Sequence, residues 1–338
     1  MSTPGGALPP ASSFLAVPAA PMTFGRLLDR IFQLLGANWH LFLGIASVPA
    51  AGFLVLEALI TGAVFSVVQP WHPHTQPHFS GPISVGLFLS CMAVYVLMMA
   101  IFALYDPAGT YAALQANAGA KATFKESWAV AWRKAGRYIW LAILKLLLIG
   151  LPIAVLAAVV GGFVALSIAR TGGNSSPDTW LPLLVPAIIL LYTAGLVLAI
   201  LVYLRVVVAT PACVTEDVSA WTAIRRSNQL TKGAKGRIFL LWIVLYAIIY
   251  AFTLVLEILV FFLAGIGFLV GTLAHIALVP WGLVGIGVIG VILVCAFFLM
   301  IAATWALYMA ATAVVYHDQR LRSEGVAAAR VAPLERPA

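Results

Sequence analysis

"IFLLWIVLYAIIYAFTLVLEILVFFLAGIGFLV", residues Ile238–Val270, carries one charged side chain, Glu257, in a run of 33 residues. A helix crosses the hydrocarbon core of a bilayer with about 20 predominantly apolar residues, so this stretch reads as a transmembrane helix with length to spare. Five more apolar blocks lie on either side of it: Trp39–Val68, Ile83–Leu104, Tyr138–Ala169, Trp180–Thr210 and about Val284–Tyr316. Several are near 30 residues, roughly 45 Å of helix. That exceeds the bilayer core, so they tilt, kink or protrude, with Pro49, Pro152 and Pro186 as candidate kink sites. Across all 338 residues, 63% are hydrophobic and 9% charged, and mean hydropathy is +1.06; soluble domains are about a quarter charged. The chain reads as an all-α polytopic membrane protein with six transmembrane helices.

Sixteen of the nineteen Lys and Arg residues fall before the first span, in the second-to-third and fourth-to-fifth connectors, and after the sixth span. The positive-inside rule then puts both termini in the cytoplasm. The net charge of +8 is explained by contact with anionic lipid head groups, and no basic soluble domain exists to bind nucleic acid. Residues 1–22, rich in Pro, Gly and Ser, read as a disordered tail without the basic and apolar regions of a secretory signal, and 326–338 as a second tail.

The tetrapeptide Leu254–Glu257, LVLE, has a twin at Leu54–Glu57, two hundred residues earlier. At a register of one hundred, Gly36, Gly136 and Gly236 coincide, as do Arg137 and Arg237. Thr110, Thr210 and (two residues late) Thr312 each close a returning span. The integral membrane domain, 23–325, is therefore expected to hold three pseudo-repeats, about 23–120, 121–220 and 221–322. Each repeat is an interfacial amphipathic helix and two spans, so the copies share one orientation.

In "TFGRLLDRIFQLL" the residues Phe24, Leu27, Leu28, Ile31 and Leu35 form one apolar stripe, with Arg26 and Arg30 on the other side. "TFKESWAVAWRKAG" repeats the pattern with Phe124, Trp128, Ala131 and Ala135 against Lys125, Arg133 and Lys134. Thr123 and Glu126 there have capping-box spacing. "SAWTAIRRSNQLTKG" keeps Trp221, Ile224 and the pair Arg225-Arg226. Helices of this kind lie in the interface with cations toward phosphates. Two roles are open to them: joining and anchoring spans, or forming a specific lipid or partner site.

"TFGRLLDRIFQLLGANWHLFLGIASVP", "TEDVSAWTAIRRSNQLTKGAKGRIFLL" and "ATAVVYHDQRLRSEG" resemble the bacterial glycerophosphoryl diester phosphodiesterase membrane domain family, from about Thr23 to Gly325. The Asp318, Arg320, Arg322, Glu324, Gly325 pattern and Arg225-Arg226-Ser227 carry most of the likeness. The resemblance implies a six-helix module of the bacterial inner membrane. The family's name comes from members fused to a soluble phosphodiesterase barrel. A barrel needs about 250 residues, which this sequence does not offer outside its spans, so that activity is not carried over.

Ionisable groups within spans are the strongest functional lead in such a chain. Lys145 and Arg205 lie close enough to the cytoplasmic face to snorkel. Glu57 and Glu257 lie deeper, and pairing of Glu57 with Lys145 is disfavoured by depth. Tyr246, Tyr250, Thr253 and Glu257 make one polar stripe on the fifth span, Thr61 follows Glu57 by one turn, and Thr304, Tyr308 and Thr312 mark the sixth. Polar side chains in hydrocarbon seek each other. They therefore either line a central cavity, as in a transporter for a small solute or lipid, or bind helices together.

His72, His74 and His78 in "QPWHPHTQPH" have a spacing open to zinc or copper, but three prolines and no carboxylate favour a solvated loop. Cys91, Cys213 and Cys295 fit no metal or redox pattern. Asp29, Glu126, Glu216, Asp217 and Asp318 read as solvated pairs or caps. There is no phosphate loop, zinc-protease motif or nucleophile elbow, so neither enzymatic activity, a cofactor nor a bound metal is expected. The function class is a non-enzymatic module that scaffolds or senses lipid or envelope state, with the transporter as alternative. Membrane lipids are the expected partners, and a protein partner or homo-oligomer stays open.

Overall fold

The computed structural model describes residues 20–68, 81–170, 177–273 and 279–329. All regular structure among them is α-helical, and six helices are long and apolar enough to cross a membrane. The chain is an all-α polytopic membrane protein. The His72, His74 and His78 loop lies outside the described residues, as do residues 1–19 and 330–338 of the expected tails, while 326–329 are helical.

The helices are α1 (Phe24–Ala37), α2 (Trp39–Val68), α3 (Gly81–Asn117), α4 (Phe124–Arg133), α5 (Ala135–Arg170), α6 (Pro177–Val206), α7 (Ala209–Thr215), α8 (Ala220–Leu230), α9 (Lys235–Leu273) and α10 (Val279–Ala329). A short amphipathic helix followed by two long apolar ones occurs three times, with α7 as an added piece after α6. Each of the three short amphipathic helices α1, α4 and α8 is started by a hydroxyl. Thr123 makes the full capping box: Glu126 N donates to its Oγ1 at 3.2 Å and its own N donates to Glu126 Oε2 at 3.0 Å. Thr23 and Ser219 cap α1 and α8 with one longer bond each.

Three span boundaries differ from the sequence-based blocks. The second block ends at Leu104, yet α3 continues through Asp106 and Pro107 to Asn117, because this last third is buried and its neighbours satisfy Asp106. The fourth block runs unbroken to Thr210, whereas the helix breaks after Val206 and restarts at Ala209. Pro211 supplies the cause: it has no N–H for the carbonyl four residues back, and its ring crowds that carbonyl. The sixth block stops at Tyr316, but α10 runs on to Gly325, whose φ of 77° and ψ of 175° leave the helical region.

The core gathers at the end that carries α1, α4 and α8, called basal below. Phe42, Ile45, Ala46 and Ala50 of α2 are buried, with Leu104 to Ala116 of α3, Tyr138 and Leu141 of α5, Val206 to Val214, Ile238 to Leu245 of α9, and Ala302 to Tyr316 of α10 contributing to the same cluster. Small residues bring α3 and α10 together: Gly109 lies against Met309, so that a Cβ there would collide with the thioether. Beyond this half no described side chain is buried between Ala50 and Met98, Leu141 and Ala199, or Leu245 and Ala302. The α5–α6 hairpin still closes tightly there, since a Cβ on Gly195 would come within 2.8 Å of Leu156. Helix α9 packs on α10 and only lightly on α6 and α1.

Candidate functional site

The basal end is tied together by ion pairs that are more buried than solvated. Asp318 has no exposed side-chain surface. Its Oδ1 accepts from Met22 N at 2.8 Å, and its Oδ2 accepts from Arg237 Nη1 at 2.8 Å and Arg322 Nε at 2.9 Å. Both guanidiniums also donate to Met22 O at 2.6 Å. One carboxylate therefore joins the chain before α1, the start of α9 and the end of α10. This corrects its assignment to the solvated pairs. Glu216 accepts from Arg226 Nε at 3.0 Å and from the Tyr316 hydroxyl at 3.0 Å. Arg226 also reaches Glu324, which accepts from Arg320 at 2.8 Å. Asp217, 60% exposed, does behave as a surface pair, with Lys134 and with Arg137 at 2.6 Å. Lys134 and Arg137 hold its carboxyl below the ordinary aspartate value.

Within the spans, Lys145 Nζ donates to Asp106 Oδ2 at 2.8 Å and to Thr210 Oγ1 at 3.1 Å, and Thr210 donates to the same Asp106 oxygen at 2.6 Å. Side-chain exposures of 14% for Lys145 and 20% for Asp106 make this a partly buried pair, so Lys145 is engaged inside the bundle instead of snorkelling. Asp106 was missed in the sequence because it follows the last residue of its apolar block. The signal was there: an acid preceding Pro107, one turn before the Thr110 that shares a register with Thr210. Thr110 Oγ1 and Trp242 Nε1 are buried without a hydrogen-bond partner among the described residues.

The six residues singled out on the polar stripes are separated by the structure. Glu57 and Thr61 lie exposed on α2, and Glu257 exposed on α9. Neither glutamate has a hydrogen-bond or ion-pair partner among the described residues. Helix α2 packs mainly on α3 and α10, and the two glutamates are not brought together. The reason is that both lie beyond the packed basal half. Tyr246, Tyr250 and Thr253 do share a surface: with Ile149, Ala199 and Tyr203 they line a lateral groove of about 940 Å³ between α5, α6 and α9. A second groove, about 500 Å³, runs along the other side of α9 against α1 and α10. Neither lining includes Glu57 or Glu257.

Of the cations assigned to lipid head groups, Arg26, Lys125, Arg133, Lys134 and Arg225 are exposed. Arg30 is not: it is 5% exposed, and its Nε and Nη2 donate to Asn117 Oδ1 at 3.0 Å and Asn117 O at 3.1 Å. Burial pulls its pKa below the ordinary arginine value, and it belongs to the core instead of the lipid surface. Arg226 is likewise committed to Glu216 and Glu324. Beside the exposed cations stand exposed indoles. Trp132 is 64% exposed and Trp221 49% exposed, the latter under the Arg225 guanidinium at 5.7 Å from the ring centroid. No group of three or more His, Cys, Asp or Glu side chains suited to a metal ion occurs among the described residues. No family model, curated protein or solved structure matches the chain.

Proposed function

We propose that the chain is a non-enzymatic membrane module that scaffolds or senses the lipid surface through α4 and α8, with α1 as their counterpart, whose Arg26 is exposed and whose Arg30 is buried. The observation that carries this is that each of the two short helices exposes an indole and cations: Trp132 with Lys125 and Arg133 on α4, and Trp221 under the Arg225 guanidinium on α8. Indoles favour the level of the head groups and cations favour their phosphates. The same end holds nearly all the positive charge, which supports both termini on the cytoplasmic side of a bacterial inner membrane. On the quoted segments we also place the chain with the glycerophosphoryl diester phosphodiesterase membrane domain proteins, and take its three short–long–long units as repeats. Likeness of sequence and element order supports these two assignments.

The test is amide deuterium exchange of α4 and α8 in nanodiscs of phosphatidylcholine with and without phosphatidylglycerol. Protection should rise with the anionic lipid in the wild type, and the rise should vanish in the triple variant K125Q/R133Q/R225Q. Exchange indifferent to lipid charge would remove the basis for the proposal. The transporter alternative gains no support from Glu57 and Glu257 as placed, since neither lines either of the two grooves described.

A further inference from the structure

The α9 wall of the larger groove is built from Phe239, Trp242, Ile243, Tyr246, Tyr250 and Thr253, steps of three and four that keep to one face of a helix. One turn back along that stripe from Phe239 stands Lys235, the first residue of α9, and Lys232 lies in the turn just before it. Lys232 is exposed and Lys235 partly so. Neither ammonium has an acceptor among the described residues. Two of the acids at this end are engaged elsewhere, Asp318 by Arg237 and Arg322 and Glu216 by Arg226. The α9 lining of the groove starts at Phe239, one turn beyond Lys235, so that the two lysines stand at its basal end. From Lys235 to Thr253 the wall extends roughly 27 Å along the helix, enough to run from head-group level through one leaflet of roughly 15 Å of hydrocarbon.

We propose that this groove is a site for one anionic glycerophospholipid, its phosphate at Lys232 and Lys235 and an acyl chain laid between α5, α6 and α9. The charge and the apolar wall are complementary to the two ends of that amphiphile in the order in which it presents them. A zwitterionic lipid would fill the same wall but gain less from the two lysines. The occupant also supplies what α9 lacks in protein contacts, because it fills the gap on the side where α9 touches α6 only lightly.

The experiment uses the full chain reconstituted in nanodiscs of phosphatidylcholine and phosphatidylglycerol, extracted in mild detergent and weighed by native mass spectrometry. The wild type should retain one phosphatidylglycerol in preference to phosphatidylcholine. K232Q/K235Q should lower that preference roughly tenfold or more, since each lysine near an anionic surface contributes on the order of a kilocalorie. Ala247→Trp, at an exposed groove position, should abolish retention of either lipid while leaving the thermal midpoint of the apo protein close to wild type. Retention unchanged in Ala247→Trp, or selectivity unchanged in K232Q/K235Q, would overturn the proposal. So would a wild-type dimer, free of lipid, that Ala247→Trp converts to monomer, because the occupant would then be a second copy. Ala247→Trp leaves Lys125, Arg133 and Arg225 untouched, so the exchange response of α4 and α8 reports separately on the surface proposal.

Discussion

A carboxylate with no solvent exposure needs its charge answered on every side, and Asp318 has that answer from Arg237, Arg322 and the Met22 amide. Replacing it by alanine leaves the part-exposed Arg237 and Arg322 guanidiniums without their shared carboxylate. Removal of one partner from a buried pair costs about 3–5 kcal/mol, so Asp318→Ala should lower the thermal unfolding midpoint in detergent well beyond the change produced by Asp29→Ala, whose side chain is exposed. Equal shifts would show that the cluster contributes little. In the sequence Asp318 stands among polar neighbours, in His317-Asp318-Gln319-Arg320, and local composition says solvated. Its burial comes from Met22 and Arg237, 296 and 81 residues away, contacts that no local pattern encodes. Lys145 teaches the same at the other extreme: its depth was legible, but its partner Asp106 lies 39 residues back, on a different helix.

At the level of the single helix, legibility was much better where the signal is short-range. The capping box of α4 needs only Thr123 and Glu126, three apart, and it is formed as the spacing demands. Removing a hydroxyl cap costs about 1 kcal/mol, so Thr123→Ala should increase amide exchange in the first turn of α4 while leaving α8 unchanged. Unaltered exchange at α4 would mean that packing of Ser127 and Ala131 alone holds the helix. The break between α6 and α7 was equally available from Pro211, yet apolar continuity through Val206–Val208 concealed it. Hydrophobicity reports burial or lipid contact and is silent about where the backbone bends. The stripe on α1 was right for Leu27 and Ile31, both buried, and wrong for Arg30. Its position on the polar side also faces α3, where Asn117 meets it.

For the whole molecule, the number of spans and the class of fold were plain from composition and block length, because lipid imposes those terms on any sequence that crosses it. How the helices pack was not, since apolar faces toward lipid and toward protein look alike in sequence. The basal layer is where the connectors meet, and Asp217, before α8, joins Lys134 and Arg137 at the α4–α5 junction. Its pKa is lowered in the folded state, so between the folded value and the unfolded one, about 3.9, the unfolded chain binds more protons and stability rises with pH. The pair's contribution is complete above about pH 4 and lost as the pH falls through the lowered folded value. Asp217→Asn should therefore flatten that acid limb in thermal unfolding measured across it and leave the curve's shape at neutral pH unchanged. An identical acid limb in both proteins would assign it to other carboxylates.

Because the described side chains are buried only toward the basal end, the described far portions of α2, α3, α5, α6, α9 and α10 rest on little protein interior. Their neighbours there are acyl chains, whose order changes with chain length, unsaturation and lateral pressure. The spacing of six helices in that leaflet is thus a property shared with the membrane, and the bilayer serves the far half of this fold as a missing subunit.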